Sequence, residues 1–369
     1  MQGRRDSSMR RILGLQDVEA AIRGGSIFAA GGGGWAEHGR TLGTAAVTIG
    51  EPELVSMDEV PDDAFIATAA AIGAPAGTTD WQMFGVDYVK AVEMLQEALG
   101  APIYGLMIGQ NGMSSTMNAW LPSALLGTKV VDAVGDIRAH PTGDMGSIGM
   151  AASPEPTIQT AVGGHRASHS YIELVVRGAT AKVSPILRKA ADMSGGFIAS
   201  CRNPVRASYV KKHAALGGIS RALELGHAIM AAEPKGGRAV IDSICQTTSG
   251  TILGTGTVRR KAVSYTEAAF DVGTISVRSR ARELVLHVMN EYIAVDEGSS
   301  RLATFPDVIT TLNAEGQPVS VGHITEGMEL SVFHIAKAHL PLSSSVKDPS
   351  VYPVVEAALG IPIARHALG

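Results

Sequence analysis

Three apolar runs, DDAFIATAAAIGAP, APIYGLMIG and TKVVDAVGD, alternate with two helix-spaced stretches, VDYVKAVEMLQEALG and NAWLPSALLG, between Asp62 and Asp136. Buried strands separated by helices pair in parallel, so this alternation predicts an α/β fold, a mostly parallel sheet with flanking helices. In VDYVKAVEMLQEALG, Val86, Val89, Val92 and Leu95 share one helical face and Gly100 is the stop. Upstream, LQDVEAAIRGGSIFAAGGGG reads as a helix capped by Asp17, with Val18, Ala21 and Ile22 at helical spacing. Gly24-Gly25 is expected to end it, and a short buried segment, Ile27 to Ala30, then runs into four glycines.

The texture changes after SPEPTIQTAVGG. RASYVKKHAALGGISRALELGHAIMAAE is helical in two pieces around Gly217-Gly218. From AVIDSICQTTSGTILGTGTVRR onward, through GTISVRS, ELVLHVMNEYIAVDE, FPDVITTLN and MELSVFHIAKA, the segments read as strands separated by turn residues. Two domains are expected: an α/β N-terminal domain over residues 12–168, and linking helices with a β-rich C-terminal domain over residues 169–369. A chain of 369 residues is long enough for both. The polar residues ahead of Ile12 are set aside from the fold.

Charged residues are only 18 % of the chain and the net charge is -4, with Lys and Arg scattered. No basic face is present to hold a nucleic-acid backbone, and a small-molecule substrate is favoured. Cys201 and Cys245 lie far apart without CxxC spacing, so neither a disulfide framework nor a thiolate zinc site is indicated. No run approaches the roughly 20 apolar residues of a membrane span, and the start carries no signal-peptide core. A cytoplasmic location, no membrane partner and a homo-oligomer are the expectations.

Chemistry concentrates in five places. The stretch AAGGGGWAEHGR lacks the Lys-Ser or Lys-Thr of a P-loop and gives only a partial dinucleotide fingerprint, with Trp35 crowding a pyrophosphate. A tight turn built on glycine freedom fits it under any function, and its place at a sheet edge suits a ligand wall. In VVDAVGDIRAHPTGDMGSIGM, Asp132, Asp136, Arg138, His140 and Asp144 arrive within a dozen positions among glycines. Such a strand-end loop supplies carboxylates and an imidazole for metal binding or general acid/base work, or else a polar loop whose aspartates satisfy turn NH groups. His165 and His169 in GGHRASHS would share one face of a helix and one metal, or stand as two surface histidines. Gln110, Asn111, Ser114, Ser115, Thr116 and Asn118 follow a strand and suit a planar ring with carbonyl and NH groups, or serve as an ordinary loop and cap. Cys201, in SCRNPVR beside Arg202 and Arg206, is either a buried small residue or a thiol with a depressed pKa.

The order of GGSIFAAGGGGWAEHGR, VSMDEVPDDAFIATAAAIGAP, GTKVVDAVGDIRAHP, GGISRALELGHAI and ATFPDVITTLNAEGQPVSVGHITEGMELSVF resembles the S-methyl thiohydantoin desulfurase-like family over nearly the whole chain. Gly31 to Gly34, Gly73-Ala74-Pro75, Asp132, Gly135, Arg138 and Pro141 stand where the family's motifs fall. Trp35 follows the glycines where an acidic residue or asparagine is expected, with Glu37-His38 beyond it. Val134 replaces an acidic residue, and His140 replaces an aromatic and opens the way to an extra metal ligand. The resemblance implies an α/β domain followed by a β-rich one, and hydrolytic chemistry on five-membered cyclic imides. One such reaction converts a thiohydantoin propionate to the hydantoin with release of sulfide. A divalent metal, zinc above all, would activate the water and accept the sulfur.

On this reading Asp132, Asp136 and His140 are catalytic. Gly32, Gly33, Gly34, Gln110 and Asn111 bind the ring, and Arg40 or Arg138 holds a substrate carboxylate by a bidentate pair. His140, Asp144, His165 and His169 ligate the metal, with His38 in reserve. The competing readings are C–N ring opening of a hydantoin, a non-catalytic subunit of a hydantoinase system, and a nucleotide-binding protein.

Overall fold

A computed structural model describes residues 10–73, 78–279 and 282–369. Ala74 and Pro75 of the expected family motif lie outside the described residues. The fold is the expected α/β class followed by a β-rich domain. The first sheet runs in the order Arg11–Ile12, Glu53–Val55, Lys129–Asp136, Gly105–Gln110, Phe65–Gly73, Phe197–Arg206, Thr157–Gly163, Ile172–Gly178. Its centre, from Glu53–Val55 to Phe65–Gly73, is parallel. Antiparallel strands extend it on the far side. Strands Ile172–Gly178 and Phe197–Arg206 thus place residues beyond 168 in the first sheet.

The helices cover both faces, as alternating side chains require. Val162, Ala199 and Cys201 pack with Val89, Val92 and Leu95 of helix Gly85–Leu99. The opposite face, with Ile72, Ala161 and Ile198, packs on Leu187, Ala190 and Ala191 of helix Thr180–Met193. Val86, expected on the buried face, is exposed, and Gly100 ends that helix in the left-handed region at φ 72°.

The second sheet is antiparallel throughout, in the order Ser300–Thr304, Glu291–Glu297, Arg282–Met289, Asp271–Ser279, Thr251–Tyr265, Glu329–Ile335, Val308–Leu312. It curls, so that Tyr292 Oη comes 3.1 Å from Thr311 Oγ1 across unpaired strands.

Two sequence expectations are corrected. AVIDSICQTT is not strand but part of helix Gly237–Thr248, whose buried Val240 and Ile244 lie four apart. Helical spacing here outweighs β-branched content. The first helix is not ended by Gly24-Gly25; it runs from Leu15 to Phe28, taking in Ile27 and Phe28. The glycines serve packing instead. A Cβ at Gly24 would stand 1.8 Å from the Ala222 carbonyl oxygen, and one at Gly226 would stand 1.9 Å from that of Ala20. Helices Leu15–Phe28 and Gly218–Ala232 therefore touch backbone to backbone. No helix among the described residues is long and apolar enough to cross a membrane.

Gly24→Ala should destabilise the protein by roughly 1–3 kcal/mol, because forcing the helices apart outweighs the improved helix propensity. Urea denaturation checks this, and a neutral or stabilised variant would refute the backbone contact.

Candidate active site

The parallel strands Phe65–Gly73, Gly105–Gln110 and Lys129–Asp136 all end on one side of the first sheet, where open α/β sheets bind ligands. A cavity lies there. Gly73 and Gln110 reach it from two strand ends, and His140 to Gly143 from the loop after the third. Arg188 comes from helix Thr180–Met193, and Phe197 and Arg202 from the neighbouring antiparallel strand. Gly32 to Gly34 form one wall, and Asn290 and Glu291 of the second sheet close the far side.

The four glycines are the seam between the two sheets. The Ala30 carbonyl accepts from Tyr292 N at 2.8 Å, and the Gly31 carbonyl from Val321 N at 3.0 Å. Each glycine is short of room for a different reason. A Cβ on Gly31 would meet the Tyr292 ring at 2.6 Å, on Gly32 the Glu291 Oε1 at 2.4 Å, on Gly33 the Gly112 Cα at 2.7 Å, and on Gly34 the Ser114 Oγ at 1.9 Å. Gly33 and Gly34 also have φ near +80°, a region glycine enters without cost. The run follows a helix rather than a buried strand, and it lets the Glu291 carboxyl lie against bare backbone.

Glu291 is 5 % exposed and its Oε2 makes no hydrogen bond among the described residues. Burial pushes its carboxyl up to about 8, with Arg138 and Arg188 pulling the other way, so it is chiefly protonated at neutral pH. His140 is buried too. Burial first, and then the Arg202 charge, depress its imidazole to about 3 and keep it neutral. Its Nδ1 lies 3.4 Å from the Arg138 carbonyl oxygen, and its backbone N donates to Gln110 Oε1 at 3.0 Å.

The residues singled out from sequence divide. His140, Gln110, Ser115 and Gly32 to Gly34 line the cavity. Asp132 does not. Its Oδ1 accepts from the backbone N of Ile219 at 2.9 Å and of Ser220 at 3.1 Å, capping the helix Gly218–Ala232. Asp136 is fully buried outside the cavity lining, its two oxygens without hydrogen-bond partners among the described residues, and burial raises it to about 7. Asn111 is spent on the carbonyls of Ile137 and Gly218, at 3.1 and 3.0 Å. Thr116 bonds the Gly112 carbonyl at 2.8 Å, while Ser114 and Asn118 are buried beside it.

Neither arginine chosen for a substrate carboxylate is placed for one. Arg138 donates to the carbonyls of Ala139, Asp307 and Tyr292, all at 2.8 Å, beneath the Phe305 ring. Arg40 pairs on the surface with Glu19 at 2.6 Å. Arg188 and Arg202 are the arginines of the cavity.

The expected metal donors do not converge. His165 and His169 sit in the turn between strands Thr157–Gly163 and Ile172–Gly178, not on a helix, and His169 has φ 59°. His165 instead faces Asp80 at 3.7 Å. Asp144 lies outside the cavity lining, and among the described residues no three His, Cys, Asp or Glu side chains gather for an ion. His38 Nε2 lies 3.4 Å from Tyr88 Oη, its ring lowered to about 4 by burial. Cys201 is fully buried on the face covered by helix Gly85–Leu99 and its thiol is pushed up to about 12, the opposite of an activated nucleophile.

Comparison with known proteins agrees with the expected family. The S-Me-THD-like N-terminal domain matches residues 16–169 and the S-Me-THD-like C-terminal domain matches residues 179–343. The fold is similar to the X-ray crystal structure of a protein from Chromobacterium violaceum, with a TM-score of 0.73 and 23 % identity over 97 % of this chain and 98 % of that one. No functionally curated protein matches. Through both of its domains, the chain belongs to the S-Me-THD-like family.

Proposed function

We propose that this cavity carries out hydrolytic desulfuration of a thiohydantoin ring, giving the hydantoin and hydrosulfide, with the thiohydantoin propionate as one substrate. Family membership supports thiohydantoin desulfurase chemistry. The observation that carries the finer reading is Glu291, a buried carboxyl held protonated in a cavity wall between two sheets. Removing sulfur from C2 needs a proton for the developing thiolate, and a carboxylic acid near neutral pKa is suited to deliver one. Because the donors expected for zinc are dispersed, the steps are assigned to protein groups alone.

In the proposed reaction a water oxygen bonds to C2 as the C=S π pair moves onto sulfur. Glu291 gives its proton to that sulfur and takes one from the added water. Collapse of the intermediate breaks the C2–S bond, releases hydrosulfide and forms the hydantoin carbonyl, while the second water proton passes to solvent. Neutral His140 orients the water, and the guanidinium groups of Arg188 and Arg202 in the cavity lining lower the energy of negative charge there. The flat ring lies between the glycine backbone and Phe197.

Purified protein should release sulfide from a 2-thiohydantoin with the ring retained, and Glu291→Gln should lower kcat by roughly 10²- to 10⁴-fold. The acid form is the active one, so wild-type kcat should fall as pH rises through about 8. A Glu291→Gln enzyme with wild-type turnover, or an opened ring in the product, would refute the assignment.

Asp132 gives a control for the same assay. Loss of its cap in Asp132→Ala should cost about 1–2 kcal/mol of stability while the folded fraction keeps near-normal kcat. Thermal unfolding and initial rates measure the two effects separately; a stable but inactive variant would return Asp132 to the chemistry.

A further inference from the structure

Among the described residues each sheet ends in two edge strands, and the edges are closed in different ways. Strand Arg11–Ile12, at one end of the first sheet, has only two residues. In the second sheet, Val308–Leu312 is covered by the chain that follows it, with Val319 N donating to the Thr311 carbonyl at 2.9 Å. Ser300–Thr304 lies beside the C-terminal segment, where Arg301 donates to the Pro362 carbonyl at 3.2 Å. The remaining edge, Ile172–Gly178, is seven residues long and open. Apart from its bonds to Thr157–Gly163, no hydrogen bond reaches its backbone among the described residues.

An open edge of this length is a template for a further strand, and chains that stay apart blunt it with repelling charges or proline. Here the outward face reads Glu173, Val175, Arg177, with one charge of each sign set symmetrically about a valine that is 43 % exposed. Glu173 accepts from Tyr171 Oη at 2.7 Å and Arg177 donates to the Ala98 carbonyl, so neither meets an opposite charge in its own chain among the described residues. They cannot meet one another, because four residues along a strand span about 13 Å. On the other face Leu174 and Val176 pack against the cluster of Leu187 and Ala190 but stay partly exposed.

We infer that Ile172–Gly178 pairs antiparallel with the same strand of a second copy of this chain, on a two-fold axis through Val175. With the axis there, the valine meets its own copy and Leu174 meets the partner's Val176. Glu173 meets the partner's Arg177, and symmetry repeats that pair on the other side of the axis. Opposite charges placed directly across a ladder attract, and like charges repel. Moving the axis to Leu174 or to Val176 leaves both charges facing uncharged residues, so the charge pattern selects the register as well as the partner. The first sheet then runs unbroken through both copies, and the face that carries Leu174 and Val176 gains cover.

The test is the oligomeric state of the full chain by sedimentation velocity over a range of concentrations. A single strand seam is small beside the roughly 1,600 Å² of a standard interface, so the wild type should pass from monomer to dimer at micromolar concentrations. Glu173→Arg turns both ion pairs into repulsions and should raise the dissociation constant roughly 10- to 100-fold. Adding Arg177→Glu sets opposite signs across the axis again and should return the constant to near the wild-type value. Val175→Cys should give a disulfide-linked dimer on mild oxidation, because antiparallel partners stand about 4.5–5.5 Å apart at Cα, within the span of a disulfide. Cys245→Ser in the same chain removes the partly exposed native thiol, and Cys201 is buried. Residues 173, 175 and 177 are all exposed, so these variants probe the seam rather than the fold. A wild type that stays monomeric, a dimer that Glu173→Arg leaves intact, a loss that the second reversal does not repair, or absence of the cross-link would each overturn the inference.

Discussion

The Arg138 guanidinium holds the two sheets together at the point where the cavity forms. It leaves the strand Lys129–Asp136, is fully buried, and gives its donors to the Ala139 carbonyl and to the Tyr292 and Asp307 carbonyls of the second sheet. Tyr292 N returns a bond to Ala30 at the start of the glycine run. A charge so buried tolerates little displacement, because any acceptor lost leaves a donor dry. The carbonyl partners therefore fix where Glu291, one residue before Tyr292, meets Gly32.

The same burial sets the chemistry. A chain with few charges places several of them in or near one junction, and desolvation moves them toward neutrality: Glu291 up, Asp136 up, His140 down. What survives as charge is guanidinium, which cannot readily give up its proton. The junction is thus a weakly acidic, net-cationic chamber, suited to a reaction that creates an anion from a neutral ring.

Much of the scaffold was legible in the chain because it is local. Strand and helix periods in DDAFIATAAAIGAP and VDYVKAVEMLQEALG report on their own neighbours, and the resemblance across five separated blocks fixed the domain order. The errors came from residues whose partners lie far along the chain. Gly24-Gly25 looks like a stop until Ala222 and Gly226 arrive from another helix. Asp132 looks like a site carboxylate until Ile219 and Ser220 present their NH groups to it. Arg138 looks like a ligand for a substrate carboxylate until the carbonyls of Tyr292 and Asp307 arrive from the second domain and make it a clamp.

Glu291 was hidden for a related reason. It stands in ELVLHVMNEYIAVDE, which the sequence presents as a single β segment with nothing to single out one carboxylate in it. Asn290 turns the chain there, at φ 58°, and the hairpin tip docks on the glycine wall and is buried. A hairpin tip is cheap to leave in solvent, whereas this one pays desolvation of a carboxyl with one oxygen lacking a protein partner. Packing alone would be better served by an apolar residue at that position. The acid stands at a buried position in the cavity lining where its desolvation costs stability, which is the pattern expected when a side chain serves a proton rather than the fold.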